Sequence, residues 1–428
     1  MVKAVILAAG HGTRLGKLGR EKPKVLVRVA GRELLYRHLY LLSRLGVEEF
    51  VIVVNSNTQQ QVQEFLQGQN YRWSLVVNEA PEKGNGYSLL LTKDHVEGTF
   101  LVVMGDHIYE EAFLEKAIKG KGLIVDREGR FIDHEEATKV SIQGGRAKDI
   151  GKAISGNAFD TGFFVLTEEV FRHAAEILEE KGAVEMSEIV KRAGLEVTEV
   201  SGYLWMDVDT PAEAKKATRV LVRNALKGTG DGFVSRMINR RLSLWLSERV
   251  INHLTPNQVS ILSSLVGGVA ALLALLHPAA GGILYQLSSV LDGVDGEIAR
   301  ASLRTSPFGG WMDSLLDRGV DFLFLLALGY SLAPPAAFWG VITAAIFGSV
   351  MVSYSTERYR AAFLKDIYRE IPIMRYMVGK RDERIFLTMV LCLFGMVTEL
   401  FLLLALWTNL RVLATVALVC KKEKGKRG

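Results

Sequence analysis

The chain is 428 residues long, enough for two or three domains, with 49% hydrophobic and 23% charged residues. Its net charge of +5 and its two cysteines, Cys392 and Cys420 in apolar segments, exclude a disulfide framework and a cysteine-built metal centre, and no nucleic-acid partner is expected. Short apolar runs alternate with charged stretches up to about residue 225, as in a soluble α/β domain, and apolar stretches of transmembrane length take over from about residue 257. The start, MVKAVILAAG, has too short an apolar run and no small-residue cleavage site, so no signal peptide is predicted.

The run from Lys3 to Ala9, bounded by glycine, fits a buried parallel strand. It leads into Gly10-His11-Gly12-Thr13-Arg14-Leu15-Gly16, a glycine-rich turn of the kind that presents backbone N–H groups to phosphate. A dinucleotide fold is the rival, but Leu15 stands where the third glycine of GxGxxG belongs. Arg14 and the following Lys22-Pro23-Lys24 add cations for a triphosphate, Lys22 being equally readable as a surface charge. Val102-Val103-Met104-Gly105-Asp106 is an apolar strand ending in a carboxylate, and Asp207 and Asp209 sit in a late WMDVDTP segment. An aspartate at a strand end also serves as a helix cap, so that alternative stays open for Asp106 and Asp207.

LAAGxGTRL followed by KPK resembles the sugar-phosphate nucleotidyltransferase family. The resemblance implies a Rossmann-like α/β domain in which Leu7, Ala8, Ala9, Gly10, Gly12, Thr13, Arg14 and Lys24 bind the nucleotide and Asn85-Gly86 reads the base. It makes Asp106 and Asp209 metal ligands, with Asp207 the near second choice. Arg14 and Lys24 would hold the triphosphate, Lys24 stabilising the pentavalent phosphorus. An alcohol phosphate would attack the α-phosphorus and expel pyrophosphate, chemistry in which positioning and charge neutralisation supply most of the acceleration.

Gly228 to Gly232, GTGDG, reads as a break. Beyond it Phe233, Val234, Met237, Ile238, Leu242, Trp245, Leu246, Val250 and Ile251 recur at three- and four-residue steps, with Arg236, Arg240, Arg241 and Arg249 interspersed. This pattern predicts an amphipathic helix on an anionic membrane surface; a soluble helix packed on the first domain is the alternative. Six apolar spans are expected near 257–277, 280–301, 309–332, 335–356, 384–398 and 400–420, the fifth being short. Lysine and arginine avoid HPAAGG, APPAA and the turn at Thr398-Glu399 but crowd 357–384 and the tail, so both termini are expected in the cytoplasm of a multi-pass cell-membrane protein.

Within the spans lies Asp292-x2-Asp295-Gly296-x2-Ala299-Arg300-x8-Gly309-x3-Asp313-x3-Asp317. A carboxylate at mid-bilayer costs at least about 2.5 kcal/mol, so four demand a purpose. Asp292 and Asp295 are i,i+3, and Asp313 and Asp317 are i,i+4, so each pair shares one helix face. Two such faces make an all-oxygen cage suited to Mg²⁺, with Mn²⁺ as the alternative; polar glue between membrane helices is the bland reading. Gly296 and Gly309 permit close approach.

The string resembles the signature of the CDP-alcohol phosphotransferase family. That resemblance implies six transmembrane helices and a two-metal site that cleaves CDP-alcohols. Asp292, Asp295 and Asp313 would be the main ligands, and Asp317 the general base, also within reach of a metal. Thr255, Pro256, Asn257, Gly296, Arg300 and Gly309 would serve the nucleotide. Arg358, Arg360, Arg381 and Arg384 would meet an acceptor phosphate, though the positive-inside rule alone also accounts for cations there. Arg411, inside the last span, has no firm account; a buried carboxylate such as Asp321 is one partner for it.

The expected layout is a nucleotidyltransferase domain at 1–227, a linker and interfacial helix at 228–253, and a transmembrane domain at 254–428. The first domain then makes the substrate of the second, which fixes CTP as the nucleotide. This order resembles the family of bifunctional inositol-1-phosphate cytidylyltransferase/di-myo-inositol-phosphate-phosphate synthases. The resemblance implies CTP plus inositol 1-phosphate giving CDP-inositol, then transfer of this CDP-alcohol's phospho-inositol onto a second inositol 1-phosphate. The expected partners are the lipid bilayer and a second copy, a homodimer through the membrane domain. The rival enzyme reading is a cytidylyltransferase fused to a phospholipid synthase with a lipid acceptor. A transporter or anchor, or a regulatory nucleotide-binding module, fits the intact aspartates less well.

Overall fold

The computed structural model describes residues 2–16, 22–226 and 232–425. The chain divides into two compact units, residues 1–218 and 219–428. Most of the glycine-rich break expected at 228–232, and the last three residues of the basic tail, lie outside the described residues.

The first unit is built on strands β1 (Val2–Leu7), β2 (Arg28–Val29), β3 (Arg32–Glu33), β4 (Val47–Asn55), β5 (Arg72–Asn78), β6 (Thr99–Met104), β7 (His107–Tyr109), β8 (Gly122–Asp126), β9 (Lys139–Gln143), β10 (Arg146–Gly151), β11 (Ala158–Thr167), β12 (Val197–Glu199) and β13 (Trp205–Asp207). Helices α1 (Leu34–Arg44), α2 (Gln59–Gln67), α3 (Asn85–Leu90), α4 (Glu111–Ala117), α5 (Glu169–Lys181), α6 (Met186–Ala193) and α7 (Pro211–Asn224) accompany them. The main sheet runs β10-β9-β11-β6-β1-β4-β5, with β8 also on β11 and β12 on β8. Strands β6, β1, β4 and β5 are mutually parallel, whereas β11 runs antiparallel to β6. The result is a mixed Rossmann-like sheet. Its parallel centre is buried on both faces, which is why β1 reads as an unbroken apolar run from Ala4 to Leu7. Val5, Val51, Val102 and Phe164 meet in its core.

β1 and β6 end side by side, and this brings the two functional loops together. The Gly105 N–H donates to Leu7 O at 2.9 Å. A Cβ at Gly105 would lie 2.8 Å from that carbonyl, so only glycine admits the approach. β13 pairs antiparallel with β7 in a small sheet that carries Asp207 opposite His107.

The second unit is helical. After a π-turn over Ser235–Asn239 come α8 (Arg240–Val250), α9 (Pro256–Ala274), α10 (Pro278–Ala301), α11 (Pro307–Ser331), α12 (Trp339–Phe363), α13 (Arg381–Leu393) and α14 (Val397–Gly425). Six of these, α9 to α14, stand where six spans are expected. Among the described residues, three helical stretches are long and apolar enough to cross a membrane, Pro256–Ala274, Ala336–Phe363 and Val397–Lys424. α10 and α11 have the length but carry the acidic residues, and α13 has 13 residues, roughly 20 Å, short of a hydrocarbon core. α9 packs on both α10 and α11, α13 packs on α10, and α14 packs on α12. Their shared core gathers Tyr285, Phe324, Ile342, Ile385 and Phe401.

Candidate functional site

In the first unit, β1 passes into a loop whose Gly12 takes a left-handed φ of 63° and abuts Lys24, with Lys24 Cβ 3.1 Å from where a Gly12 Cβ would stand. Leu7, Ala8, Gly10, His11, Gly12, Thr13, Arg14, Lys24, Gly105, Asp106 and Asp209 line a cleft of about 350 Å³. Ala9 is buried behind it, its carbonyl accepting from Asn55 Nδ2 at 2.9 Å. At the cleft's centre Lys24 Nζ lies 2.6 Å from Asp106 Oδ2 and also pairs with Asp209 Oδ1. Arg14 meets the other oxygen of Asp209 at 2.9 Å. Lys22 is exposed. Asp209 is held at the start of α7, where Glu213 accepts from the N–H groups of Asp209 and Thr210 and the Thr210 hydroxyl accepts from Glu213 N–H.

Asp106 is oriented from its far side by His107, whose Nδ1 lies 2.7 Å from Asp106 Oδ1. Burial works to raise the Asp106 carboxyl, but the His107 hydrogen bond, then Lys24, hold it well below the usual carboxylate range. Burial likewise opposes the charge on Lys24, and Asp106 with Asp209 outweighs it, leaving the ammonium pKa raised. Two carboxylates converging on one cation form an all-oxygen donor set that suits a divalent ion.

Asp207 points elsewhere. With His107, Asp160, Asn85, Lys152, Trp205 and Lys216 it lines a neighbouring cleft of about 380 Å³. The Asn85 side-chain oxygen accepts from Met186 N–H at 2.7 Å, and a Cβ at Gly86 would lie 2.8 Å from Val184 O. Asn85-Gly86 is thus braced against the segment that opens α6. Lys152, Asp160 and Lys216 were not singled out by the sequence, because single charges scattered over a bend, a strand and a helix carry no spacing signal.

In the second unit, one oxygen from each of Asp292, Asp295 and Asp313 lies within 4.8 Å of the others. Three carboxylates this close repel one another and a divalent cation would relieve that repulsion, so the donor set fits the metal cage that the helical spacing predicts. Ser260 of α9 donates its hydroxyl to Asp295. Of the nucleotide residues expected here, Thr255, Pro256, Asn257 and Gly309 lie at the starts of α9 and α11, and Gly296 and Arg300 near the end of α10. Thr255 caps α9 in a capping box with Gln258, Pro256 opens that helix, and Ser306 caps α11 by accepting from Gly309 N–H at 2.9 Å. A Gly309 Cβ would stand 3.9 Å from Asn257 Oδ1, and one at Gly296 would stand 3.0 Å from an Arg300 guanidinium nitrogen. Arg300 also donates to Ala225 O.

Arg381 binds the acidic group together. Its NH1 lies 3.0 Å from Asp292 and 3.0 Å from Asp317, while Nε and NH2 each reach Asp321 at 3.1 Å. Beside it opens a cleft of about 260 Å³, lined on its polar side by Arg240, Asp292, Asp317, Arg318, Lys380 and Arg381. Of the four arginines expected at an acceptor phosphate, only Arg381 lines this cleft. Arg358 and Arg360 are exposed at the end of α12, and Arg384 is buried with its NH1 donating to Gly379 O at 2.9 Å. Arg318 and Lys380 are cleft cations that the sequence did not single out, and Arg240, read there as part of a membrane-surface helix, lines the cleft with them. Arg411 does not pair with Asp321, which Arg381 and the Tyr285 hydroxyl already occupy; it donates to the carbonyls of Met377 and Val378.

Residues 4–125 match the family model described as MobA-like NTP transferase domain, and residues 253–420 match CDP-alcohol phosphatidyltransferase. A protein of Aquifex aeolicus named bifunctional IPC transferase and DIPP synthase is 54% identical over 98% of both chains. One of Thermococcus kodakarensis with the same name is 50% identical, again over 98% of each. The solved inositol-1-phosphate CTP transferase from T. maritima is 29% identical, with a TM-score of 0.47, covering 51% of this chain and 95% of that one. Full-length likeness to relatives 54% and 50% identical leads to one statement: the chain belongs to the family of bifunctional IPC transferases and DIPP synthases.

Proposed function

We propose that this chain is a bifunctional enzyme that makes a CDP-alcohol in its first unit and consumes it in its second. The observation that carries the reading is the presence in one chain of two separate carboxylate sites. One is Lys24-Asp106-Asp209 beside a phosphate loop; the other is Asp292-Asp295-Asp313 with Asp317. The names of the relatives support CTP and inositol 1-phosphate as the substrates.

In the first reaction a phosphate oxygen of inositol 1-phosphate attacks the α-phosphorus of CTP, and the bond to pyrophosphate breaks. The glycine loop and Arg14 hold the triphosphate, and Lys24 neutralises charge as it moves onto the oxygens at phosphorus. The neighbouring cleft, with Lys152 and Lys216 for phosphate and Asp160 and Asp207 for hydroxyls, supports the alcohol phosphate there. Asp106 and Asp209 would hold Mg²⁺, with Mn²⁺ as the alternative, supplying charge neutralisation between the two phosphates.

In the second reaction a hydroxyl of another inositol 1-phosphate attacks the phosphorus that bears the inositol of CDP-inositol, and CMP leaves. Asp317 takes the hydroxyl proton. Asp292, Asp295 and Asp313 would hold divalent metal there, which polarises the diphosphate when bound. Arg381 then has two tasks, orienting Asp317 and meeting the acceptor phosphate alongside Arg240, Arg318 and Lys380. We place domain limits at 1–227, 228–253 and 254–428, the catalytic carboxylates on the cytoplasmic side, and a homodimer in the bilayer.

Purified protein incubated with CTP, Mg²⁺ and inositol 1-phosphate should show, by phosphorus NMR, pyrophosphate, then CMP and a phosphodiester carrying a phosphomonoester. A product spectrum lacking the phosphodiester, or one in which a diglyceride replaces the second inositol 1-phosphate, refutes the reading.

A further inference from the structure

The segment from Phe233 to Val250 is amphipathic the wrong way round for a protein interior. Its small polar residues Asn239, Ser243 and Ser247 are buried, while Phe233, Met237, Leu242 and Trp245 are exposed. The buried face lands on α10 at Glu297, which has no exposure at all. Arg240 NH1 donates to Glu297 Oε1 at 2.8 Å, Ser243 Oγ to the same oxygen at 2.7 Å, and Ser247 Oγ to Oε2 at 2.7 Å. A second tie joins Gln286 Nε2 of α10 to Asn239 Oδ1 at 2.8 Å. The start of the segment is fixed from another side, where Ser235 N–H donates to Asp382 at 2.7 Å and Phe233 N–H to Glu383 at 3.0 Å.

The anchored segment is also a wall of the phosphotransferase cleft. Ser235, Asn239, Arg240 and Ser243 line it, facing Asp292, Gly293 and Asp317. Along α10 the residue at 297 follows Gly293 by four, so both lie on one face, while Asp292 and Asp295 turn toward the metal cage. One helix therefore holds the reactive carboxylates on one side and, through Glu297, the opposing wall on the other. A buried carboxylate is costly unless paired and hydrogen-bonded, and two hydroxyls and a guanidinium are more than packing alone calls for.

We propose that Glu297 is a positioning residue of phosphotransfer: it fixes Arg240 and the 235–243 wall against the reacting groups at Asp292 and Asp317. The proposal rests on the phosphotransferase reading above. Its sharpest probe is Ser247, which touches Glu297 but does not line the cleft. Full-length protein in lipid vesicles is assayed for CMP release from added CDP-inositol and inositol 1-phosphate, well below each variant's unfolding midpoint. Pyrophosphate release by the first unit serves as the internal control.

Glu297→Gln should lower kcat roughly ten- to hundredfold, as misplacement near a reacting centre does, with KM for CDP-inositol changed less than about threefold. Ser247→Ala should lower kcat about threefold or more through one lost charge-assisted bond. Arg240→Gln combined with Glu297→Gln should be no worse than the poorer single variant, because the two act as a unit. If Glu297→Gln does not fold, Ser247→Ala decides alone. Wild-type kcat in Ser247→Ala and Glu297→Gln, or losses that multiply in the double variant, overturns the proposal and leaves Glu297 a strut. A wild-type chain that releases no CMP overturns the phosphotransferase reading as well.

Discussion

Replacing Lys24 with Gln should move metal affinity and rate in opposite directions. Lys24 Nζ bridges Asp106 and Asp209, and the three side chains are only 15%, 26% and 21% exposed. A divalent ion that takes both carboxylates must displace this ammonium, breaking two charge-assisted contacts of about 1.5–3 kcal/mol each. The displaced ammonium recovers part of that on the triphosphate. A net competition of about 1.4–2.8 kcal/mol corresponds to a ten- to hundredfold tighter hold on metal once Lys24 is gone. The same substitution removes a cation from the phosphorus under attack, at a cost of about 10²–10³ in kcat. Pyrophosphate release followed against Mg²⁺ concentration reads both quantities in one assay. The half-saturating Mg²⁺ should fall while the plateau rate collapses. An unchanged or higher Mg²⁺ requirement, or a plateau within about threefold of wild type, refutes the bridging role.

Asp106→Asn should abolish CDP-alcohol formation and leave transfer from added CDP-alcohol nearly intact, while Asp317→Asn should do the reverse; loss of both activities in either folded variant sinks the two-site reading. Burial, then the neighbouring His107, pulls the His38 imidazole down to about 4, so it folds neutral. Its contribution is complete above the unfolded value of about 6.5 and is lost as pH falls toward 4, about 3 kcal/mol in all. The unfolding midpoint of the first unit should therefore drop between pH 6.5 and 4, and His38→Gln should flatten that drop; an equal slope in the variant would contradict the buried neutral imidazole. A cysteine placed beside His277 should label from outside intact cells and one beside Lys422 should not, the opposite pattern reversing the membrane orientation.

The acidic cage was legible because helical spacing is a strong constraint: i,i+3 and i,i+4 aspartates on two adjoining helices have few ways not to meet. The glycine loop was legible for a similar reason, since a buried apolar strand must end in a turn and Gly10 and Gly12 allow it. Between Asp207 and Asp209 the sequence could not choose. Strand register places Asp207 opposite His107 and into the second cleft, whereas the cap of α7 turns Asp209 toward Lys24. The arginines failed to separate because positive charge is a property of the loop, and the facing direction is a property of packing. Arg381 reaches the aspartates and Arg384, three residues on, goes into the interior. The periodicity of 233–251 announced a helix with two faces but not that Ser243 and Ser247 face inward. That depends on Glu297, some fifty residues away and in a free position of the signature.

Glu297 also bears on how such a gene is to be cut. The family match begins at residue 253, yet the second compact unit begins at 219 and includes the donors Arg240, Ser243 and Ser247. A separately expressed half starting at the match would strand a buried carboxylate without its partners, a loss of the order of 3–5 kcal/mol, and would remove one side of its own active site. Dissection after α7, in the glycine-rich break at 228–232, keeps that helix whole and leaves the anchor of Arg240, Ser243 and Ser247 on Glu297 intact. Chimeras that exchange soluble partners among these synthases should be spliced there, ahead of the segment that walls the cleft.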